Sequence, residues 1–107
     1  MQEPLTKLER QTLQGEMLEF PDLDLGFLER LKGLRDIGSG NDLTAIAYFL
    51  RSLEAFELGS LERAISERCY GLALIRVQRE VEGTFALERA DPILEQYGFA
   101  PFELDHE

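Results

Sequence analysis

The chain has 107 residues, of which 44% are hydrophobic, and it carries a formal net charge of −10 at pH 7. This length and apolar content predict one globular domain and argue against a disordered chain. No apolar run approaches the ~20 residues of a membrane span, the N-terminus lacks the pattern of a signal peptide, and a single cysteine, Cys69, precludes an internal disulfide. We therefore expect a cytoplasmic protein without membrane contact.

The charge is distributed unevenly along the chain. Residues 1–29 carry seven acids against two bases, and residues 80–107 carry eight acids against Arg89. Residues 30–79, in contrast, carry six acids against eight bases. Because the acidic excess repels phosphates, we expect no direct binding to nucleic acid.

Apolar residues at helical spacing predict two helices in the first third of the sequence. The first covers residues 4–18, and Pro4 suits its first turn. Pro21 interrupts the pattern. A second helix follows, capped by Asp22 or Asp24 and extending to about Asp36. Its apolar face consists of Phe27, Leu28, Leu31 and Leu34.

The next glycines bound the third predicted helix, residues 42–58. Gly38-Ser39-Gly40 predicts a flexible linker before it, and Asn41 or Asp42 supplies the N-cap. Apolar residues cover most of the circumference of this helix, which predicts a central helix with contacts on several sides. Gly59 would end it as a left-handed C-cap.

The fourth predicted helix begins after Ser60, and its apolar face rotates midway. Either the helix changes packing partner, with a second subunit as one choice, or it bends or ends near Gly71. A third alternative is a β-hairpin at residues 74–86, turning at Glu82-Gly83. Because glutamates are poor strand residues, we favour the helix. The two faces are Leu61, Ala64, Ile65, Cys69 and Leu72, and then Tyr70, Leu74, Val77 and Val81.

The last predicted helix begins at Asp91-Pro92, an N-cap followed by a first-turn proline, and ends at Gly98. Beyond it, Phe99 and Phe102 would fold back onto the core, since exposing both would be unfavourable. We predict an all-α fold, a compact bundle of four to five helices, with α+β and a small hairpin near residues 74–86 as the alternative. Residues 1–103 would form the single domain and residues 104–107 a disordered tail.

Residues 45–75 resemble one tetratricopeptide (TPR) repeat, a pair of antiparallel helices. Tyr48 corresponds to the first aromatic position of the repeat, Gly59 to the turn glycine, and Leu61 to the aromatic position that follows. Ala64-Ile65 and Gly71-Leu72 match small–apolar pairs. Arg51 and Arg68 depart from the pattern, and no proline closes the unit. The resemblance implies a helical hairpin that binds a peptide or a partner helix in a groove.

The chemistry-bearing residues do not form a catalytic pattern. The one histidine, His106, lies at the end of the chain, and Cys69 has no histidine to activate it. We expect Cys69 to be a small buried hydrophobe, with a redox role or an intersubunit contact as alternatives. No metal, cofactor or phosphate motif is present. We predict no enzymatic activity and no cofactor; the enzyme alternative would need a pocket with two converging buried acids.

The prediction that remains is a protein–protein interaction module: an adaptor, an assembly subunit or an inhibitor, self-associating as a homodimer. We expect Arg68, Arg76 and Arg79, on one sector of a continuous fourth helix, to contact the partner, with Tyr70 as an anchor. They could instead pair with the acidic C-terminal segment of the same chain. The alternative function is an acidic nucleic-acid mimic that blocks a DNA- or RNA-binding protein through Glu80, Glu82, Glu88 and Glu95.

Overall fold

The computed structural model of the chain describes residues 21–100, with side chains from residue 25 onward. This part consists of helices and connecting turns, without strands, so the all-α prediction is confirmed. The predicted helix at residues 4–18 and the tail at 104–107 lie outside the described residues. The helices are α1 (Pro21–Gly38), α2 (Asp42–Glu54), α3 (Leu61–Arg76) and α4 (Glu80–Gln96). In this range no helix combines the length and apolarity needed to cross a membrane.

Each helix packs mainly against its neighbours in sequence. α1 contacts α2, α2 contacts α3, and α3 contacts α4 most extensively of all. The central position predicted for α2 is therefore shared with α3.

Two phenylalanines pack directly onto glycines of α1. A methyl group added to Gly33 would lie 2.5 Å from Phe49 Cε1, and one added to Gly26 would lie 2.4 Å from Phe56 Cζ. The two glycines are seven residues apart, as are the two phenylalanines, and seven residues correspond to two helical turns. The two glycines thus allow Phe49 of α2 and Phe56, two residues beyond its end, to approach the α1 backbone closely.

Small residues also set the contact between α3 and α4. A methyl group on Gly71 would lie 2.8 Å from the Gly83 carbonyl oxygen, and one on Gly83 would lie 2.6 Å from that of Gly71. Gly83 is buried within α4, so the alternative hairpin turn at Glu82-Gly83 is wrong. Because it has no side chain, Gly83 allows the α4 backbone to approach α3 closely. This tertiary contact explains a glycine inside the helix, which its low helix propensity alone does not.

The predicted helix start at Asp91-Pro92 is also wrong, because Pro92 lies inside α4. A proline in a helix interior costs about 3 kcal/mol. Ala90 and Leu94, on either side of it, are almost fully buried against Ala64 of α3. Burial on both sides of the proline keeps the helix continuous, while Pro92 itself is exposed.

Residues 77–79 separate α3 from α4, so neither the hairpin nor a fourth helix continuous through Arg79 is present. Gln78 has a left-handed φ of 70°. The Gln78 N–H donates to the Ile75 carbonyl and the Arg79 N–H to the Leu74 carbonyl, each at 2.9 Å. This pair of bonds is the Schellman C-cap. It satisfies the last carbonyls of α3 and reverses the chain.

The same cap follows α1, where the sequence predicts a flexible linker. Gly40 has a φ of 82°, and the Asn41 N–H donates to the Asp36 carbonyl at 2.7 Å. The stretch is a tight turn held by backbone hydrogen bonds. Gly98 ends α4 in the same way, with the Phe99 N–H on the Leu94 carbonyl at 3.0 Å, as predicted.

The boundaries of α2 and α3 agree only in part with the predicted caps. Ser60 caps α3 by accepting a hydrogen bond from the Arg63 N–H at 3.2 Å, as predicted. Gly59 is left-handed, yet α2 ends at Glu54, so Gly59 belongs to the connection rather than to a C-cap of α2. Asn41 occupies the N-cap position of α2 without a side-chain cap hydrogen bond.

The rotation of the apolar face along α3 is explained within one chain. Near its start, Leu61, Ala64 and Ile65 pack with residues of α4. Toward its end, Tyr70, Leu74 and Val77 belong to the cluster that contains Phe49 of α2. The helix thus changes packing partner along its length, which is the first of the explanations considered above.

Candidate interaction surfaces

A buried polar network fixes α1, α2 and α3 relative to one another. The hydroxyl oxygens of Ser52 and Ser66 lie 2.7 Å apart, and both side chains are fully buried. Ser52 also bonds to the Gly26 carbonyl at 2.7 Å. Arg30 donates to Ser66 Oγ at 3.2 Å and to Glu62 Oε1 at 2.7 Å.

The predicted partner-binding arginines form ion pairs within the chain. Arg68 Nη2 lies 3.3 Å from Asp91 Oδ1, and Arg76 Nε lies 3.1 Å from Asp42 Oδ1. Arg79 binds Glu82 through two hydrogen bonds of 2.6 and 3.1 Å. The bond from Arg79 lowers the pKa of the Glu82 carboxyl below its ordinary value.

These positions alter the predicted surface. Arg79 precedes α4 and does not share a helix with Arg68 and Arg76, so the common sector on one continuous helix is wrong. Tyr70 is half-buried and packs against the core cluster. The role of the four residues as partner contacts stays a prediction.

Two buried glutamates are each bound by an arginine from the following helix. Glu29 of α1 pairs with Arg51 at 3.2 Å, and Glu67 of α3 pairs with Arg89 at 2.5 Å. Glu67 lines a cavity of 150 Å³ together with Arg63 and Arg89. The two carboxylates thus belong to separate ion pairs. Within residues 21–100, no cluster of three or more histidine, cysteine or acidic residues could hold a metal ion.

The solvent-facing side of α2 carries an apolar stripe, Leu43, Ala47 and Leu50. All three are exposed, and Leu43 is 72% exposed. Their i, i+4, i+7 spacing places them on one helix face. These residues belong to the helix that was predicted to have contacts on several sides, because helical periodicity does not reveal how many of its faces receive a neighbouring helix. The stripe is the part of the apolar surface of α2 that stays exposed.

An apolar groove of 390 Å³ lies among α1, α2 and α3. Arg76 and the thiol of Cys69 are the polar groups that line it. Leu34 is half exposed at its edge, although the sequence places it on the buried face of α1. The apolar lining is Leu34, Ile37, Phe49, Leu72, Ala73 and Ile75.

Cys69 is a free, half-buried thiol in this groove. Burial raises the pKa of the Cys69 thiol above its ordinary value of 9.0, partly opposed by the charges of Arg30 and Arg68. At neutral pH Cys69 is therefore a neutral, apolar side chain.

The outer side of α4 is acidic. Glu80, Glu88 and Glu95 are exposed, and their spacing of eight and seven residues keeps them on one side of the helix. Glu82, the fourth glutamate of the mimicry hypothesis, is instead bound to Arg79.

Comparison of the chain with protein-family models, with curated proteins and with solved structures finds no match.

Proposed function

We propose that this chain is a small protein–protein interaction module that self-associates through the α2 stripe of Leu43, Ala47 and Leu50. The observation that carries the proposal is the exposure of these residues on one helix face. Packing an apolar helix stripe against another apolar surface is favourable, because it removes the stripe from water.

The order of residue sizes along the stripe suits a second copy. In an antiparallel twofold pair, Leu43 of each copy meets Leu50 of the other, and the small Ala47 lies at the crossing point. Because three residues cover little of the ~800 Å² that each partner contributes to a standard interface, we expect a dissociation constant in the micromolar range or weaker. A weak dimer of this kind fits an adaptor or an assembly subunit that exchanges partners.

The test is the molar mass in solution, measured by light scattering over a range of protein concentrations. We expect a monomer–dimer equilibrium for the natural chain and a monomer for Leu43→Glu. Val81→Glu is the matched control, because Val81 is 69% exposed and lies on α4; this variant should still dimerise. A monomeric natural chain at all concentrations, or equal effects of both substitutions, would contradict the proposal.

Nucleic-acid mimicry is the second candidate, supported by the row of Glu80, Glu88 and Glu95 on the outer side of α4. Carboxylates in a row could occupy the phosphate sites of a nucleic-acid-binding partner. Binding to such a partner should weaken steeply with added salt and be lost in the triple glutamine variant. The control is the double glutamine variant of Glu54 and Glu57, two exposed glutamates outside α4, and it should retain binding. Binding that resists both salt and the triple substitution would exclude mimicry.

A further inference from the structure

The apolar groove among α1, α2 and α3 has the size and lining of a small-molecule site. Its volume of 390 Å³ lies within the range of about 300–1,000 Å³ that is typical of such sites. Leu34, which is half exposed, lies at its open edge. The lining is apolar apart from the Cys69 thiol and Arg76. A few polar groups in an otherwise apolar lining are the usual composition of a ligand pocket.

The groove extends along two turns of α3. Cys69, Leu72 and Arg76 line it from the α3 side, and their i, i+3, i+7 spacing places them in one row on the helix. Because an α-helix rises ~1.5 Å per residue, Cys69 and Arg76 are ~10 Å apart along its axis. The groove therefore suits an extended apolar chain that runs from one of these residues to the other.

Arg76 gives one end of the groove a positive charge. Of the described residues that line the groove, Arg76 is the one with a charged side chain, and this side chain is 49% exposed. A guanidinium group has five N–H donors. The hydrogen bonds among residues 21–100 use one of them, on Nε, which donates to Asp42 Oδ1 at 3.1 Å. The two terminal nitrogens thus leave donors for a second carboxylate.

We propose that the groove binds a fatty acid anion, with its carboxylate on the terminal nitrogens of Arg76 and its hydrocarbon chain extending past Leu72 to Cys69. The apolar lining removes the hydrocarbon chain from water, and the guanidinium group forms charge-assisted hydrogen bonds to the carboxylate. The site shares no residue with the α2 stripe, so ligand binding and self-association can each fail without the other.

Calorimetric titration with decanoate and decanol tests the role of Arg76, because the two probes have the same chain length and differ in charge. We expect the natural chain to bind decanoate about tenfold more tightly than decanol. Arg76→Gln should remove this preference and leave decanol binding unchanged. Arg79→Gln is the matched control, because Arg79 also pairs with an acid, Glu82, but does not line the groove. This control should keep the preference for decanoate.

Asp42 provides a test in the opposite direction. Its carboxylate competes with the ligand for Arg76, so Asp42→Asn should strengthen decanoate binding by up to about fivefold and leave decanol binding unchanged. If the ion pair merely held the groove in shape, Asp42→Asn and Arg76→Gln would have the same effect, because each removes that pair. Opposite effects of the two substitutions therefore identify Arg76 as the group that contacts the ligand.

Cys69 reports on the other end of the groove, because it is the one cysteine in the chain. The rate at which iodoacetamide, a neutral reagent, modifies Cys69 measures access to this end. Decanoate at about ten times its dissociation constant should lower the rate about tenfold, since it leaves about one chain in ten unoccupied. Acetate at the same concentration, which cannot reach from Arg76 to Cys69, should leave the rate unchanged.

Four results would overturn the proposal. Equal affinities of the natural chain for decanoate and decanol, or equal losses in Arg76→Gln and Arg79→Gln, would exclude recognition of the carboxylate by Arg76. An unchanged Cys69 rate would place the ligand outside the groove. Loss of the helical circular dichroism signal on addition of decanoate would indicate a detergent effect. Binding to phosphatidylglycerol vesicles without binding to monomeric decanoate would identify a membrane surface as the partner instead.

Discussion

Ser66 donates its hydroxyl hydrogen to Ser52 across the contact between α2 and α3. A hydroxyl group has one hydrogen, and that of Ser52 is used on the Gly26 carbonyl at 2.7 Å. The 2.7 Å contact between the two serines therefore needs Ser66 as its donor. Arg30 in turn donates to Ser66 at 3.2 Å. The result is a directed chain, Arg30 to Ser66 to Ser52 to Gly26, in which each hydroxyl both donates and accepts.

The direction of this chain predicts unequal effects for two similar substitutions. Ser52→Ala leaves the buried Ser66 hydroxyl without its acceptor, and we expect a loss of about 1–3 kcal/mol in the free energy of unfolding. Ser66→Ala leaves Ser52 bonded to Gly26 and should cost about 1 kcal/mol. Urea unfolding of both variants and of the double variant measures the difference. Because the residues share one bond, the double variant should lose less than the sum; a larger loss for Ser66→Ala would contradict the assigned direction.

The contact of Phe49 with Gly33 predicts a steric effect. The methyl group of Gly33→Ala would lie 2.5 Å from the Phe49 ring, and the overpacking should lower the free energy of unfolding by about 1–3 kcal/mol. Gly38→Ala is the matched control in the same helix, since a methyl group there would meet nothing within 4 Å. The control should stabilise the protein by about 0.4–1 kcal/mol. Denaturant unfolding distinguishes the two, and equal effects would exclude a steric origin.

The left-handed Gln78 predicts a stabilising substitution. A side chain at a φ of 70° costs about 1–2 kcal/mol, which glycine avoids. Glycine also raises the conformational entropy of the unfolded chain, which offsets part of this gain. We therefore expect a net increase in the free energy of unfolding of roughly 0.5 kcal/mol for Gln78→Gly. Gly40→Ala, at a φ of 82°, reverses the change in the equivalent cap and should destabilise the protein. Thermal unfolding of both variants measures the effects; destabilisation by Gln78→Gly would show that contacts of the glutamine side chain outweigh its backbone strain.

Burial of Cys69 predicts a loss of stability at alkaline pH. Its pKa is raised in the folded protein above the ordinary value of 9.0, so above about pH 9 the unfolded chain releases a proton that the folded chain retains. The contribution of the protonated Cys69 thiol to the free energy of unfolding is therefore fully present below pH 9. It is lost as the pH rises through the pKa of Cys69 in the folded protein. Urea unfolding between pH 7 and 10 should give a steeper decline for the natural chain than for Cys69→Ala. Parallel declines would indicate that the thiol is solvated in the folded state.

The amino-acid sequence by itself determined where most helices lie and how several of them end. The apolar period identifies α1, α2 and most of α3, and Ser60 and Gly98 act as predicted, because caps and helical periodicity depend on residues within a few positions of each other. Asp91-Pro92 carries an equally strong local signal, and it misleads. Pro92 stays inside α4 because Ala90 and Leu94 pack against Ala64 of α3. These residues are more than twenty positions apart in the sequence, beyond the reach of a local signal.

Only the tertiary structure decided which apolar residues are covered and which polar residues meet. Leu43 and Leu50 have the same period as the buried Ile46 and Phe49, and only the number of neighbouring helices leaves them exposed. The sequence leaves open whether Arg68, Arg76 and Arg79 contact a partner or pair with acids of their own chain. In the structure each of them meets an acid of its own chain. Ser52 and Ser66 are fourteen residues apart, and no local signal pairs them. Burial and ion pairing depend on how the helices assemble. The sequence pattern therefore indicates which residues can be buried or paired, and the packing of the helices decides which of them are.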